Sequence, residues 1–126
     1  MIVLVTGGRN FGAPHEKAMM FDVISHIHIT YGIECIVHGD ARGADTVADE
    51  IAKLMHIDRV IFPANWDKNG KAAGPIRNRS MLDRIKVDLV LAMPGGKGTA
   101  DMVKQATQRN VDVIYAETLY QEIQKG

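Results

Sequence analysis

The chain alternates between short apolar runs and longer stretches in which apolar residues recur with the period of a helix. The runs are rich in β-branched residues and cover residues 2–6, 34–38, 59–62, 87–93 and 111–115. They lack the inward–outward alternation of a sheet with one exposed face, so they indicate parallel strands covered on both sides. The pattern predicts an α/β fold, a doubly wound parallel sheet of about five strands with helices on both faces.

The stretches between the runs predict four helices and a short amphipathic tail at 119–123. Apolar stripes mark the first two helices, and Gly32 is a stop signal after the first. Their members are Phe21, Ile24, Ile27 and Tyr31, then Ala44, Val47, Ala48, Ile51, Leu54 and Met55. A third helix is expected over 75–84. A fourth starts near Thr99 and buries Val103 and Ala106. The segment 63–74 predicts an irregular loop of a length that is often functional.

Length and composition exclude several classes of protein. The 126 residues, 46% hydrophobic and 24% charged, fit one globular domain over residues 1–126 rather than a disordered chain, a fibre or a coiled coil. No apolar run approaches the roughly 20 residues of a membrane-spanning helix, and the N-terminus lacks a signal-peptide pattern. The single cysteine, Cys35, excludes an internal disulfide. We therefore expect a soluble cytoplasmic protein with no membrane partner.

Charge and motif content exclude further classes of ligand. Fifteen basic residues balance fifteen acidic ones, so bulk charge does not favour nucleic acid as a partner. The five histidines show no metal-ligand spacing, so we expect no metal. The phosphate loop of NTPases and the Gly-x-Gly-x-x-Gly motif of dinucleotide-binding proteins are both missing, and no cofactor is expected.

Ten of the twelve glycines fall in the connections that follow the first four predicted strands. They are Gly7, Gly8, Gly12, Gly39, Gly43, Gly70, Gly74, Gly95, Gly96 and Gly98. In a parallel sheet these connections share the carboxyl edge, where ligands bind near the reversal of strand order. Glycine lets backbone N–H groups approach a ligand, and the helix N-termini that follow favour anions. The pattern predicts one phosphate-bearing ligand in one cleft, and the alternative is that the glycines serve only tight turns.

Side chains in the first two connections offer ligand contacts, each with a structural alternative. Arg9 could pair with phosphate and Phe11 could stack on a base, or they are a surface arginine beside a core phenylalanine. Asp40 or Asp45 could accept hydrogen bonds from ribose hydroxyls, although Asp45 suits the cap of a helix equally well. His38 lies at a strand end, where a structural histidine is more frequent than a base.

The third and fourth connections add an aromatic ring, a cation and an anion nest. Trp66, the only tryptophan, is either a stacking platform or a local core anchor. Arg77 opens a helix at the ligand edge, where it could clamp a phosphate. The segment Pro94-Gly95-Gly96-Lys97-Gly98-Thr99 can form a backbone anion nest, in which Thr99 caps the helix and offers its hydroxyl.

Five motifs follow one another along nearly the whole chain. They are Gly7-Gly8-Arg9-x-Phe11, His38-Gly39-x-Ala41-x-Gly43-Ala44-Asp45, Pro63-Ala64-x-Trp66, Ala73-Gly74-x-x-Arg77-Asn78-x-x-Met81 and Pro94-Gly95-Gly96-x-Gly98-Thr99. Together these motifs resemble the YspA-type, cpYpsA-related branch of the SLOG superfamily. The superfamily also contains the Lonely Guy cytokinin-activating enzymes and the DNA-processing protein DprA. The resemblance implies a modified Rossmann fold, a nucleotide or nucleotide-derived small molecule as ligand, and a homodimer or higher homo-oligomer.

The resemblance and the loop chemistry together give one set of candidate ligand-binding residues. The set consists of Gly7, Gly8, Arg9, Phe11, His38, Gly39, Asp40, Gly43, Ala44, Asp45, Trp66, Gly74, Arg77, Asn78, Pro94, Gly95, Gly96, Gly98 and Thr99.

The resemblance also bears on catalysis. Lonely Guy enzymes hydrolyse the bond between an N6-modified adenine and ribose 5′-monophosphate. They use the glutamate of Pro-Gly-Gly-x-Gly-Thr-x-x-Glu and an arginine from the preceding helix. In this chain Arg77 matches the arginine, but Met102 stands at the glutamate position. Asp101 is one residue early, and a helical rotation of about 100° is expected to direct it elsewhere.

Two functions remain open at this point. A thioether cannot transfer a proton, so Met102 favours a sensor or ligand-binding domain without turnover. The alternative is a hydrolase that cleaves an N-glycosidic or phosphate bond of a nucleotide-like substrate. In that case Arg77, with Asp40 or Asp45, would carry the chemistry.

Overall fold

The computed structural model of the protein describes residues 1–126. Its strands are Ile2–Thr6 (β1), Cys35–His38 (β2), Asp58–Ile61 (β3), Leu89–Ala92 (β4) and Asp112–Tyr115 (β5). They form one sheet in the order β3-β2-β1-β4-β5, and all neighbouring pairs are parallel. The chain builds outward from β1 to β3 and then restarts at β4 on the other side of β1. This topology confirms the predicted doubly wound sheet.

Helices cover both faces of the sheet, as predicted. They are Pro14–Tyr31 (α1), Ala44–Leu54 (α2), Trp66–Asn69 (α3), Ala73–Arg84 (α4), Lys97–Gln108 (α5) and Ala116–Lys125 (α6). The larger core cluster joins α1, α2 and α6 to one face, and a smaller cluster joins α4 and α5 to the other. None of the helices is both long and apolar enough to cross a membrane.

Some helices are rotated relative to their predicted stripes. On α1 the buried residues are Met20, Val23, Ile24 and Ile27. Phe21 and Tyr31 are exposed, as is Leu54 at the end of α2. On α5, Val103 is only partly buried, whereas its neighbour Met102 is fully buried. The cause is the same in α1 and α5: apolar residues stand side by side in the sequence, and the helix buries the neighbour of the predicted one.

The segment 63–74 contains helical structure rather than the irregular loop that was predicted. The side chain of Asn65 accepts a hydrogen bond from the Lys68 N–H at 3.0 Å and so caps α3. A 3₁₀ turn, Gly70–Ala72, follows, and α4 begins directly after it. Trp66 therefore lies in the first turn of a short helix, at the carboxyl edge of the sheet.

The loops after β1 and β4 meet where the strand order reverses. The Gly8 N–H donates to the Pro94 carbonyl at 2.8 Å, and the Gly8 carbonyl accepts from the Ala44 N–H at 3.1 Å. The first loop is thereby fixed both to the fourth connection and to the start of α2. This is the position at which open α/β sheets bind ligands.

Candidate functional site

A cleft of about 860 Å³ opens at this edge of the sheet, and its size is within the usual range of small-molecule sites. Residues from all four glycine-bearing connections line it. From the candidate set, these are Gly7, Gly8, Arg9, Phe11, Asp45, Trp66, Gly74, Arg77, Asn78, Pro94, Gly95, Gly96, Gly98 and Thr99. The structure therefore brings most of the predicted residues to one place.

Five candidate residues do not line the cleft: His38, Gly39, Asp40, Gly43 and Ala44. His38 is 1% exposed, and both of its ring nitrogens are bonded to protein groups, so it is placed neither as a ligand contact nor as a base. Asp40 is exposed outside the cleft and is not placed to act on a ligand there. Gly39, Gly43 and Ala44 pack against the lining from beneath.

Close packing explains why one of the residues that line the cleft, Gly7, is a glycine. A Cβ on Gly7 would lie 2.5 Å from the Cβ of Ala44 and 2.7 Å from the Cβ of Met93, far inside van der Waals contact. Gly98 lines the same cleft in the first turn of α5, but a Cβ there would have no atom within 4 Å. Alanine is therefore expected to lower the stability of the protein at the first of these positions and to be tolerated at the second.

We expect Gly7→Ala to lower the free energy of unfolding by about 2–3 kcal/mol, because the extra methyl overpacks a backbone junction. Gly98→Ala, the matched control, is expected not to lower it, because alanine favours a helix more than glycine does. Urea unfolding followed by circular dichroism measures both values. Equal stabilities for the two variants would contradict the loop packing described above.

The start of α5 offers several donors without an acceptor in the protein. The backbone N–H groups of Lys97, Gly98 and Thr99 make no hydrogen bond, and the first bond of the helix runs from Ala100 to the Gly96 carbonyl at 3.0 Å. The hydroxyl of Thr99 is buried and has no partner either, so the predicted cap does not form. Buried polar groups without partners are rare in proteins. This donor set suits an anion, whose charge the helix dipole also favours.

Arg77 lies in the second turn of α4 and is held by two hydrogen bonds. Its Nη1 donates to the Gly39 carbonyl at 2.7 Å, and its Nε donates to Asn78 Oδ1 at 3.1 Å. Burial lowers the pKa of the Arg77 guanidinium, while the negative charge of Asp45 opposes this shift. Nη2 has no partner in the protein, so this end of the guanidinium is available to an anion in the cleft.

Asp45 is a buried carboxylate that holds the loop after β2. Its Oδ2 accepts hydrogen bonds from the N–H groups of Gly39 at 3.1 Å and Ala41 at 3.2 Å. Burial raises the pKa of Asp45, although the bond from Ala41 lowers it in part. These bonds go to the loop rather than to the first turn of α2, so the capping role is wrong. Asp45 also borders the cleft, where a ligand contact stays a prediction.

The predicted direction of Asp101 is wrong, because α5 turns this residue toward the cleft. Its Oδ2 accepts hydrogen bonds from Asn78 Nδ2 at 2.9 Å and from Gln105 Nε2 at 2.8 Å. Met102 is 0% exposed and packs into the smaller core cluster with Leu4 and Val90. Met102 and Ala106 share a helix face at i, i+4 spacing, but Val103 and Ala106 do so at i, i+3, so the sequence alone does not decide between them.

The aromatic residues of the site have different surroundings. Phe11 is 5% exposed and belongs to the larger core cluster, which agrees with the alternative of a core phenylalanine. It also borders the cleft, where stacking on a base stays a prediction. Trp66 is 47% exposed at the cleft, and the Arg9 guanidinium carbon lies 5.4 Å from its ring centroid. Together they form a cation–π pair at the rim.

The cleft also includes residues outside the candidate set. They are Thr6, Asn10, Glu16, Ala41, Lys71, Pro75, Lys97 and Asp101. Lys71 and Lys97 add two cations to Arg9 and Arg77, and their place in glycine-bearing connections could have marked them. Glu16 accepts hydrogen bonds from the N–H groups of Ala13 and Gly12, and these bonds lower the pKa of its carboxyl.

A polar network that extends from the buried His38 to the surface lies behind the loop after β2. His38 Nε2 is 2.8 Å from Asp49 Oδ1, and His38 Nδ1 accepts from the Asp40 N–H at 3.0 Å. Asp49 also pairs with Arg59 at 2.7 Å and with Lys53 at 3.3 Å. Burial alone would raise the pKa of Asp49, but the hydrogen bonds from His38, Arg59 and Lys53 lower it to about 2.

This lowered pKa predicts acid sensitivity. The folded protein binds the Asp49 proton less readily than the unfolded chain, whose ordinary pKa is 3.8, so the stabilisation is complete above pH 4 and is lost toward pH 2. We expect the loss to be about 1–2 kcal/mol after solvent screening. Urea unfolding at pH 6 and pH 3 should show a smaller difference for Asp49→Asn than for the unchanged protein. Asp22→Asn, on the exposed side of α1, should leave the difference unchanged.

The fold and the cleft together define a class: Rossmann-like α/β proteins with a glycine-rich cleft where the strand order reverses. Residues 1–69 match the model of a family described as YspA, cpYpsA-related SLOG family. The chain is also 34% identical over 121 residues to the Gene 61 protein of Mycobacterium phage D29, across 89% of this chain and 93% of that protein. The protein belongs to the YspA, cpYpsA-related SLOG family, which confirms the family predicted from the motifs. Membership suggests binding or processing of a nucleotide-related ligand.

Proposed function

We propose that the protein binds a nucleotide or a nucleotide-derived small molecule whose phosphate is held at the start of α5. The observation that carries this proposal is the set of unpartnered donors there, above all the buried Thr99 hydroxyl. Asn78 donates to the Gly98 carbonyl at 3.3 Å, which ties the residue next to Arg77 to the same turn of α5. A phosphate at this turn would satisfy the backbone donors, the hydroxyl and the guanidinium together.

The rim offers a place for the base of such a ligand. Trp66 presents a half-exposed ring to the cleft, and Arg9 lies over that ring. Stacking of a planar base on an aromatic ring contributes about 1–3 kcal/mol to binding, and an arginine adds a cation–π contribution. The proposal therefore assigns the phosphate to the α5 turn and the base to the Arg9–Trp66 pair.

Tryptophan fluorescence tests the proposal directly, because Trp66 is the only tryptophan and lies at the cleft. We expect titration with adenosine 5′-monophosphate (AMP) to change the Trp66 emission with saturation. Adenosine, which lacks the phosphate, is the matched control and should bind at least about tenfold more weakly. Equal affinities for AMP and adenosine would contradict a phosphate anchor. Mass spectrometry after incubation with a mixed nucleotide panel then identifies the ligand that is retained.

A hydrolytic function is a second candidate, and the orientation of Asp101 favours it. Two amides hold Asp101 Oδ2, while no protein group donates to Oδ1, so this oxygen is free to accept a proton in the cleft. In such a reaction water attacks the anomeric carbon as the C1′–N bond breaks. Asp101 accepts one proton from the water and then gives it to the nitrogen of the leaving base.

Product analysis separates this candidate from binding alone. Hydrolysis predicts a free base and ribose 5-phosphate from a nucleoside 5′-monophosphate, and Asp101→Asn should abolish both products. Retention of the intact nucleotide without products supports the binding function. Release of orthophosphate instead of the base would indicate cleavage of a phosphate bond.

A further inference from the structure

One peptide group connects a buried histidine to the cleft arginine. The N–H of the peptide between Gly39 and Asp40 donates to His38 Nδ1 at 3.0 Å. The carbonyl of the same peptide accepts from Arg77 Nη1 at 2.7 Å. Because a peptide group is planar and rigid, the orientation set by the histidine is passed to the carbonyl that Arg77 contacts.

The hydrogen bonds define which nitrogen of His38 carries the proton. Nδ1 accepts from an N–H, so it carries none, and Nε2 donates to Asp49 Oδ1 at 2.8 Å. Asp49 is itself held by Arg59 and Lys53. The ring is 1% exposed and bonded on both nitrogens, so it has one orientation and one tautomer.

The peptide that His38 holds is followed by an unusual backbone conformation. Asp40 has a φ of 58°, in the left-handed region that most residues with a side chain avoid and that aspartate adopts more readily. Asp45 accepts from the N–H groups on either side of this peptide, at Gly39 and Ala41. The N–H between these two, that of Asp40, donates its hydrogen bond to His38 Nδ1. The loop is therefore held in its unusual conformation by these two side chains.

The same loop lies close to the arginine. A Cβ on Gly39 would overlap the Arg77 guanidinium, so even a methyl group would displace the arginine. A rotation of the Gly39–Asp40 peptide would move the carbonyl that Arg77 Nη1 contacts. The position of Arg77 in the cleft thus depends on the position of this loop.

We propose that His38 is a positioning residue for Arg77 and acts through the Gly39–Asp40 peptide. The proposal rests on the proposed function, in which Arg77 contacts the phosphate. His38 does not line the cleft and makes no contact with a ligand. Asp49 has a second role in this arrangement, because its carboxylate keeps the proton of His38 on Nε2 and leaves Nδ1 free to accept.

Two conservative variants separate positioning from structural support. His38→Asn keeps an acceptor near the place of Nδ1 and loses the bond to Asp49. His38→Gln keeps a donor near the place of Nε2 and loses the bond to the Asp40 N–H. We expect AMP affinity to stay within about twofold for His38→Asn and to fall roughly fivefold for His38→Gln. Stability, measured by urea unfolding, should fall at least as much for His38→Asn, because it loses the charged partner.

His28 provides the matched control. Its Nδ1 accepts from the Ile33 N–H at 2.9 Å, the same kind of bond as in His38, but at the opposite end of α1 from the cleft. His28→Gln is expected to lower stability without changing AMP affinity. If AMP affinity followed stability across all three variants, the role of His38 would be structural and the proposal would be overturned.

A ligand-independent measurement keeps this proposal separate from the proposed function. In ¹H–¹⁵N spectra, the Arg77 Nε–H that bonds Asn78 should exchange slowly in the unchanged protein and in His38→Asn. It should exchange at least about fivefold faster in His38→Gln. An unchanged Arg77 signal in His38→Gln would overturn the positioning role even if AMP binds. Absence of any AMP response in the unchanged protein would instead reject the proposed function, while the Arg77 signal still decides the role of His38.

Discussion

Arg77→Ala is expected to weaken AMP binding roughly 10- to 100-fold, because a charge-assisted hydrogen bond to phosphate contributes about 1.5–3 kcal/mol. The guanidinium is half-buried, is held by Gly39 and Asn78, and keeps Nη2 free at the cleft. It therefore needs little reorganisation to bind an anion, and its removal also leaves the Gly39 carbonyl without a partner. Titration of the Trp66 fluorescence with AMP measures the change.

Two further variants make the result specific to this arginine. Arg79→Ala removes a cation from the same helix, two residues on, where the side chain is exposed and outside the cleft, so AMP affinity should be unchanged. Arg77→Lys keeps the charge but loses the two-sided attachment to Gly39 and Asn78, and an intermediate affinity is expected. Equal AMP affinities for Arg77→Ala and Arg79→Ala would show that Arg77 does not contact the phosphate.

The fold could be predicted because its signals are local and repeated. Short apolar runs such as 2–6 and 87–93 show no alternation of apolar and polar residues. Such runs are typical of strands in a sheet that is covered on both faces. Glycines follow four of the runs, and parallel topology alone places all four connections at one edge. The cleft residues Gly8, Gly95 and Arg77 could therefore be placed together without any knowledge of their distances.

Helix rotation could not be predicted to within one residue. On α1, Met20 and Phe21 are neighbours and both are apolar, so the sequence does not show which of them faces the sheet. On α5 a resemblance aligned Met102 with a catalytic glutamate, and the burial of Met102 instead turns Asp101 to the cleft. In both helices the choice depends on packing against the sheet, which is not a local property.

The roles of the residues behind the cleft were the hardest to predict from the sequence. His38 belongs to β2, Asp49 to α2 and Arg77 to α4, and a single peptide connects the first to the last. The motif His38-Gly39 marked these positions without indicating that His38 does not line the cleft. Only three-dimensional hydrogen bonding distinguishes a residue that lines a cleft from one that holds its lining.

Met102→Glu is expected to lower the free energy of unfolding by about 3 kcal/mol or more, instead of restoring a catalytic glutamate. Met102 is 0% exposed and lies among apolar side chains such as Leu4, Val90 and Ala106. A carboxylate there would be desolvated without a partner, or would take up a proton and stay unpaired. Urea unfolding measures the loss of stability.

Met102→Leu is the matched control, since a volume-conserving apolar exchange usually lowers stability by less than about 1.5 kcal/mol. The result of Met102→Glu depends on which residue of α5 faces the cleft. With Asp101 at the cleft, Met102→Glu destabilises the core and releases no more base from a nucleoside monophosphate than the unchanged protein does. A Met102→Glu variant that is as stable as Met102→Leu and releases a free base that the unchanged protein does not release would mean that residue 102 faces the cleft. In that case the placement of Asp101 at the cleft would be wrong.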